Sequence, residues 1–490
     1  MRPRGVGQEG ASDVTRAVDR RTALRLGAAG LLAPALLGAG GRTPRLPPGQ
    51  VPRFAVDLPV PPVLRRSLWS GVDRYVVTQR QALQQVLPPS LPATPVWGYD
   101  GLFPGPTVHA LRGRPVEIRQ LNRLHREVSV HLHGHASRPA DDGQPTLPIP
   151  PGGERTYYYD NDQRASTLWY HDHADMRTSP HVYRGLAGVY VLRDPAEDRL
   201  DLPSGEHDVP LVLQDRIFDV DGRMVFDDNG HTDLLGDVAL VNGAAWPRLA
   251  VQARRYRFRL VIASNSRPYL LGLSGGRPFT VVASDGGLLE RPVVTWSLLA
   301  VMAERYDVVV DFSEVAVGSS VTLVNQLETG RMHDLLRFDV VRRVRDDSRV
   351  PARLSDIPRL VPADAPVDRV WRFGHSPDGT FVINGKPFDM DRVDARPRLG
   401  SIEVWELRTQ GLGFFHPVHP HLVRFQVLSR DGRPPEPYER GWKDTVFVGE
   451  ESVVRIAARF GPHLGRYVLH CHNLVHEDHS MMTQFEVVKP

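Results

Sequence analysis

Short stretches in which apolar and polar residues alternate recur along the chain and are bounded by glycine and proline. Three of them are prominent, at 115–121, 256–262 and 401–407. This period of two is typical of half-buried strands in antiparallel sheets, because successive side chains of a strand point to opposite faces. The 43 glycines and 43 prolines favour many turns and short strands over long helices. The pattern therefore predicts an all-β protein.

A turn-forming dipeptide precedes each of these three strands, which indicates an internal repeat. Asp100-Gly101, Asn242-Gly243 and Asn384-Gly385 are separated by two equal intervals of 142 residues. Equal spacing of this kind predicts three copies of one sandwich or barrel domain. Proline-rich joints at 194–210 and 348–366 separate the copies. We place the three domains at residues 52–195, 205–347 and 367–490.

The first 41 residues have the pattern of an export signal. Arg20-Arg21 lies shortly before an apolar, uncharged run at 26–41. This run is shorter than the roughly 20 residues that a membrane-spanning helix needs. Paired arginines before such a run resemble a twin-arginine signal, which predicts an extracellular, periplasmic or cell-surface protein. Cleavage near residues 33–35 or 38–41 and retention as an anchor are all compatible with the pattern.

The charge balance excludes the excess of basic residues that is typical of a nucleic-acid-binding protein. The chain has 60 Lys and Arg against 57 Asp and Glu, a net charge of +3. Residues 1–41 contain six arginines and three acidic residues, so this excess belongs to the signal segment. We therefore expect neither a nucleic-acid partner nor a stable membrane span after signal removal. The single cysteine excludes a disulfide within the chain.

Four His-x-His pairs are the main chemical feature of the sequence. Residues i and i+2 of a strand point to the same face, so each pair can present two imidazoles to one metal cluster. A structural zinc site would usually contain more cysteines, and a non-haem iron triad would include a carboxylate and fewer histidines. The pairs are His131/His133, His171/His173, His419/His421 and His470/His472.

The lone cysteine lies inside the fourth pair and must point away from its neighbours. Cys471 can there join His416 and His476. Two histidines and a cysteine with a weak axial methionine form the ligand set of blue copper. Met481 is the axial candidate, with Met482 as the alternative. The backbone around Cys471 would link this copper to the cluster on the other face.

These motifs resemble those of the bacterial multicopper oxidases with three cupredoxin domains, a family that includes spore-coat laccase and bilirubin oxidase. The resemblance covers essentially the whole chain after the signal segment and extends to residues 284–289, 303–307 and 440–445. It implies three consecutive cupredoxin-like Greek-key domains and four coppers per chain, one of type 1, one of type 2 and two of type 3.

The resemblance also implies a role for each ligand. His416, Cys471, His476 and Met481 would bind type 1 copper, and His131 and His419 would bind type 2 copper. Two groups of three histidines would bind the type 3 pair, namely His133, His171 and His472, and His173, His421 and His470. Family members use acidic residues to supply protons, and Glu477 and Asp142 occupy matching positions. A plain surface role for either carboxylate is an equally good interpretation of the sequence.

The implied function is oxidation of phenols or aromatic amines with O₂ as the electron acceptor. A metal oxidase acting on Cu(I) or Mn(II) and a bilirubin-type oxidase are the enzymatic alternatives, although the eight methionines show no cluster beyond Met481 and Met482. A copper-binding electron carrier is the non-enzymatic alternative. The second repeat lacks a His-x-His pair, so we expect it to space the first and third domains. The segment 174–181 departs from the expected family pattern.

Overall fold

A computed structural model describes residues 43–411 and 413–490. The predicted signal segment, residues 1–41, lies outside the described residues. Within the described ranges, no helix has both the length and the apolar character needed to cross a membrane.

The described chain consists mainly of strands, which form three consecutive units. The first unit contains β1 Ser67–Trp69, β2 Val72–Gln84, β3 Thr94–Tyr99, β4 Gly105–Leu111, β5 Val116–Asn122, β6 Val130–His133, β7 Glu154–Tyr159, β8 Ser166–Asp172 and β9 Ala187–Arg193. The second contains β10 Asp208–Arg216, β11 Val238–Val241, β12 Ala244–Ala245, β13 Arg248–Ala253, β14 Arg255–Ile262, β15 Tyr269–Leu273, β16 Phe279–Ser284, β17 Gly287–Thr295, β18 Leu298–Ala300, β19 Arg305–Asp311, β20 Ser320–Asn325 and β21 Asp334–Arg343. The third contains β22 Arg369–His375, β23 Phe381–Ile383, β24 Ile402–Thr409, β25 His416–Pro420, β26 Phe425–Arg430, β27 Val446–Val448, β28 Val453–Arg459, β29 Gly465–Cys471 and β30 Met482–Val487.

Helical structure in the described ranges is short. The two α-helices are α1 Thr178–Arg184 and α2 Leu474–Asp478. Turns of 3-10 helix lie at Pro48–Gln50, Pro139–Asp141, Glu197–Leu200, Gly205–His207, Ser274–Gly276, Gly330–His333 and Pro437–Glu439.

Each unit is a sandwich of two sheets, which confirms the predicted all-β class. In the first unit, the sheet β1-β2-β5-β7, with β3 beside β2, faces the sheet β4-β9-β8-β6. The second unit pairs the order β12-β11-β10-β14-β19-β16-β17 with β13-β21-β20-β15-β18. The third pairs β23-β22-β24-β28-β26 with β27-β25-β29-β30. The predicted ranges 52–195, 205–347 and 367–490 each enclose the strands of one unit, and their exact ends stay predictions.

The three strands predicted from alternation occupy the same place in each unit. They are β5, β14 and β24, and each lies between one parallel and one antiparallel neighbour. The expectation of purely antiparallel sheets is therefore wrong on one side of each strand. In the first two units the chain enters the opposite sheet before it returns, and such a crossover permits a parallel pairing.

β14 is also buried on both faces, although its alternation predicts a half-buried strand. Arg259 contacts the first unit, where it donates to Thr167 Oγ1 at 2.9 Å, and Arg257 donates from Nε to Asp307 of the neighbouring β19 at 3.0 Å. Thr167 donates to the same Asp307 at 2.8 Å. The polar face of β14 is thus a contact between units rather than a solvent surface.

The three Asx-Gly dipeptides adopt the same turn, which supports the repeat. Both residues of each dipeptide have positive φ, from 51° to 56° at the Asx position and from 73° to 75° at the glycine, as a type I′ turn requires. Each Asx side chain also accepts a backbone N–H from the first long strand of its unit. The donors are Thr78 to Asp100 at 2.9 Å, Val212 to Asn242 at 2.8 Å and Arg372 to Asn384 at 2.8 Å.

One apolar cluster joins all three units next to the histidine motifs. It contains Trp169 and Val182 of the first unit, Val261 and Ala303 of the second, and Leu474 of the third. Burial of apolar surface at this junction contributes to holding the first and third units at a fixed separation. This fixed separation is the role predicted for the second unit.

Candidate metal centre

The four histidine pairs lie on two pairs of adjacent strands. β6 pairs antiparallel with β8 in the first unit, where His131 lies opposite His171. β25 pairs antiparallel with β29 in the third unit, where His419 lies opposite His470. His173, His421 and His472 directly follow strands β8, β25 and β29. The first and third units therefore each present four imidazoles from one sheet, and the two sets face each other.

The two sets interlock into one cluster of eight buried imidazoles. The His131 ring stacks on His421 with centroids 3.9 Å apart, and the His133 ring stacks on His419 at 3.8 Å. The donor atoms of three groups lie within 4.8 Å of one another: His131, His133 and His419; His133, His171 and His472; and His173, His421 and His470. The cluster takes half of its ligand candidates from the first unit and half from the third.

Hydrogen bonds determine which ring nitrogen of each histidine faces the cluster. In five imidazoles Nδ1 bonds to an oxygen: His131 to Asp142 O at 2.6 Å, His171 to Asp172 O at 2.8 Å, His419 to Asp444 O at 2.7 Å, His421 to Asp142 Oδ2 at 2.8 Å and His470 to Cys471 O at 3.1 Å. In these five rings, Nε2 is left as the nitrogen available to a metal.

His133 has the opposite arrangement. Its Nε2 bonds to Asp444 Oδ1 at 3.1 Å and to Thr445 Oγ1 at 3.1 Å, so Nδ1 is the nitrogen without a protein partner. Asp444 is held in turn by Arg305, whose guanidinium donates to its two oxygens at 2.6 and 2.5 Å. The second unit therefore contributes to the cluster through Arg305, although it contains none of the paired histidines.

The unpaired nitrogens fit a set of bound metal ions. Buried ring nitrogens of His131, His133, His171, His173, His419 and His472 have no hydrogen-bond partner. Burial lowers the pKa of His131, His133, His171, His173, His419, His421 and His472, so these rings are neutral at pH 7. Neutral imidazoles with an unused lone pair are the common histidine ligands of metals, and an unmet buried acceptor is otherwise costly.

A second donor set lies on the other side of Cys471. Its Sγ lies 3.5 Å from His416 Nδ1 and 3.6 Å from His476 Nδ1, and the two nitrogens are 3.2 Å apart. The centre of this triangle is about 2 Å from each corner, a normal metal–nitrogen bond length. Met481 is fully buried and belongs to the same core cluster as Cys471. Burial raises the pKa of the Cys471 thiol, so a metal would replace its proton.

The second unit also contacts this donor set. His476 Nε2 lies 3.0 Å from Thr232 O, and Phe381 stacks on the same ring with centroids 4.1 Å apart. The Asn473 side chain accepts from Val475 N at 3.2 Å and so caps α2, the helix that contains His476. His476 is thus fixed by contacts from several directions.

Both candidate acidic residues contact cluster histidines. Asp142 is fully buried, and burial together with the charge of Asp141 raises its pKa. Glu477 lies with Oε2 3.0 Å from His470 Nδ1 and Oε1 3.5 Å from His173 Nδ1. Burial raises the pKa of Glu477, but the neighbouring His470 and His173 outweigh this effect and bring it to about 2. Neither carboxylate lies on the surface.

The segment 174–181, which departs from the expected pattern, forms the contact between the two helices. Thr178 N and Ser179 N at the start of α1 donate to Asp478 of α2 at 3.0 and 2.9 Å. His181 Nδ1 lies 2.8 Å from Asp172 Oδ1. This segment therefore braces the helix that contains His476 and Glu477 against the first unit.

No individual role is predicted from the sequence for Asp444, Thr445 or Arg305. They lie within two of the stretches that resemble the family, but nothing in their spacing connects them to His133. The contact between His133 and Asp444 spans 311 residues of sequence. Trp169, by contrast, is a buried strand residue as expected, and its ring stacks on His171 with centroids 4.2 Å apart.

Comparison with known proteins shows the family of the chain. Models of the family described as multicopper oxidase match residues 82–197, 220–332 and 361–490. Bilirubin oxidase from Albifimbria verrucaria is 41% identical over 469 residues, which cover 89% of this chain and 81% of that protein. The chain belongs to the multicopper oxidase family.

Other multicopper oxidases agree in sequence and in fold. A laccase from Bacillus subtilis (strain 168) is 35% identical over 510 residues, covering 89% of this chain and 99% of that protein. The crystal structure of a laccase from Pediococcus acidilactici superposes with a TM-score of 0.83 at 33% identity and covers 91% of this chain and 96% of that one. These findings confirm the predicted family, its cupredoxin-like units, its use of copper and its activity as an oxidoreductase with O₂.

Proposed function

We propose that this multicopper oxidase takes single electrons from phenols or aromatic amines at a type 1 copper and reduces O₂ to water at a trinuclear cluster. The observation that supports it most is the position of Cys471 between two donor sets. Its side chain belongs to one set, and its neighbours His470 and His472 belong to the other. A single tripeptide therefore joins the site of electron entry to the site of oxygen reduction.

The proposed ligand assignment follows the two donor sets. His416, Cys471, His476 and Met481 would hold type 1 copper. His131 and His419 would hold type 2 copper. The type 3 coppers would be held by His133, His171 and His472 and by His173, His421 and His470. This assignment is supported by the three histidine groups and by the unpaired nitrogens that they contain.

Copper, when bound, would supply the one-electron redox chemistry for the reduction of O₂. The chain supplies the path between the sites, which runs through the covalent backbone from Cys471 to its neighbours. The carbonyl of Cys471 also accepts a hydrogen bond from His470 Nδ1 at 3.1 Å, which adds a second route to one cluster ligand. Burial of both donor sets excludes water from this path.

The reduction of O₂ to water consumes protons, and we assign their delivery to Glu477 and Asp142. Glu477 lies within 3.5 Å of both His470 and His173. Asp142 accepts from His421 through its side chain and from His131 through its backbone carbonyl. Each carboxylate can therefore accept and pass on a proton next to the cluster, on a different side.

A panel of reductants on one copper-loaded preparation tests the substrate class. We expect oxygen uptake with a methoxyphenol and an aromatic amine to exceed uptake with Cu(I) or Mn(II). Bilirubin is the second candidate substrate, because the relative that is 41% identical is named a bilirubin oxidase. Absence of uptake with every phenol and aromatic amine would refute the proposal. A copper content near four per chain, rather than one, separates the oxidase from an electron carrier.

We also propose export through a twin-arginine-type signal in residues 1–41. The support is Arg20-Arg21 followed by the apolar run at 26–41. Replacement of both arginines by lysine keeps the charge and removes the paired-arginine feature. We expect the variant to accumulate inside the producing cell, whereas the unchanged chain is exported. Equal export of both chains would contradict the assignment.

A further inference from the structure

Three residues outside the copper sites converge where the first and third units meet. His135 and Asp160 belong to the first unit, and His463 lies in the loop between β28 and β29 of the third. Asp160 Oδ1 lies 3.9 Å from His135 Nε2, and Asp160 Oδ2 lies 3.9 Å from His463 Nε2. One carboxylate is thus flanked by two imidazoles that come from different units.

His135 points an unused nitrogen into this space. Only 2% of the residue is exposed. Its Nδ1 bonds to Ser137 Oγ at 2.9 Å, whereas Nε2 has no hydrogen-bond partner. This buried Nε2 is therefore available to a ligand.

The distances are too long for direct hydrogen bonds and fit a shared metal ion better. Hydrogen bonds to oxygen require about 2.7–3.2 Å between heavy atoms. Two ligands of a tetrahedral metal ion with bonds of about 2.0–2.2 Å lie about 3.3–3.6 Å apart, which is a few tenths of an ångström less than the two distances of 3.9 Å. The donor atoms around Cys471 have a similar spacing, from 3.2 to 3.6 Å.

Contacts close to His135 join the first and third units. Tyr467 of the third unit donates to Ser137 O at 3.0 Å, next to the hydroxyl that orients His135. Gln144 of the first unit donates to Arg466 O in the same stretch of the third. Asp160 and His463 have side chains that are 42% and 23% exposed. An ion can therefore reach the space from solvent without disturbing the copper sites.

We propose that His135, Asp160 and His463 form a binding site for a divalent transition-metal ion of the Zn²⁺ type. Two imidazoles and one carboxylate are ligands that Zn²⁺ accepts, with water in the fourth position. A metal ion bound here would link the first and third units, the two units that contribute the cluster histidines.

Zinc binding to the copper-loaded enzyme tests the proposal. The full chain is incubated with Zn²⁺, passed over a desalting column and analysed for zinc and copper by mass spectrometry. We expect about one zinc per chain with copper unchanged, and a rise in melting temperature with zinc. His463→Ala and Asp160→Asn should abolish both effects. Loss of a direct ligand should weaken zinc binding by more than roughly 10- to 100-fold, which is the typical effect of losing a residue that only contacts a ligand.

His125→Ala is the matched control, since His125 is an exposed histidine of the first unit whose ring packs against Trp97. It should retain zinc like the unchanged chain. Unchanged oxygen uptake by the His463→Ala enzyme shows that the variant is folded, because His463 is not part of the copper sites. The proposal is overturned if the unchanged chain retains no zinc, or if His463→Ala retains as much zinc as the control.

Discussion

Arg305→Lys tests the role of the second unit in the cluster. Arg305 is fully buried and all five of its N–H groups are used. The acceptors are Thr167 O at 3.1 Å, Ala303 O at 2.9 Å, Asp285 O at 3.3 Å and the two oxygens of Asp444 at 2.6 and 2.5 Å. Lysine offers three donors from one atom, so two bonds are lost. At about 1–3 kcal/mol for each buried group left unpaired, the free energy of unfolding should fall by about 2–6 kcal/mol.

The same substitution should weaken copper binding without removing a proposed ligand. Asp444 would lose its two-point contact with Arg305 and hold His133 Nε2 less firmly. Substitutions that loosen the partner of a metal-binding histidine typically reduce metal affinity about 10- to 100-fold. The His133 contribution to the cluster should therefore be lost first, and copper should leave the variant at lower chelator concentrations.

Two measurements check this prediction. The denaturant midpoint of tryptophan fluorescence reports stability, and dialysis against graded chelator followed by metal analysis reports copper retention. Arg345→Lys is the control, because the Arg345 side chain is 87% exposed and contacts only the exposed Asp347. Its effect should stay within about 0.5 kcal/mol. If Arg305→Lys unfolds at the same denaturant concentration as the control and retains copper equally, the argument from Arg305 is wrong.

Three further substitutions address electron transfer, proton supply and acid stability. Cys471→Ser should abolish the blue absorption and oxygen uptake while the trinuclear copper remains bound; full turnover would contradict the electron path. Glu477→Gln should lower kcat about 10²- to 10⁴-fold at unchanged copper content, as removal of a proton-transferring group typically does, and an unchanged kcat would remove Glu477 from proton delivery. Burial raises the pKa of Asp307, but Arg257 and Arg259 outweigh this and lower it. Its stabilising contribution is therefore full above about pH 4 and is lost as pH falls through the lowered pKa. In Asp307→Asn, the free energy of unfolding should decrease less between pH 6 and pH 2 than in the unchanged chain. Denaturant midpoints over this pH range measure the decrease, and an equal decrease in both chains would contradict the assignment.

The sequence predicts what depends on local spacing. Histidines two apart on a strand necessarily share a face, so each pair can be recognised without knowing the fold. The separation of Cys471 from its neighbours follows from the same alternation. The Asx-Gly turns are equally local, since asparagine, aspartate and glycine are the residues that tolerate positive φ.

Contacts made across the units could not be predicted in this way. The burial of both faces of β14 depends on Thr167, which belongs to another unit. The role of Asp444 depends on contacts with His133 and Arg305, both distant in sequence. Alternation also does not distinguish a parallel neighbour from an antiparallel one, because the side-chain period is the same in both.

The contact between Asp142 and His421 joins residues 279 positions apart, and it imposes an order on biosynthesis. While the third unit is still being translated, the first unit can present only half of the cluster histidines. A complete donor set exists only after the last strands have folded and docked against the first unit. Copper loading of the trinuclear cluster is therefore a late step in the maturation of the protein. Fragments that end before β29 cannot form the complete donor set.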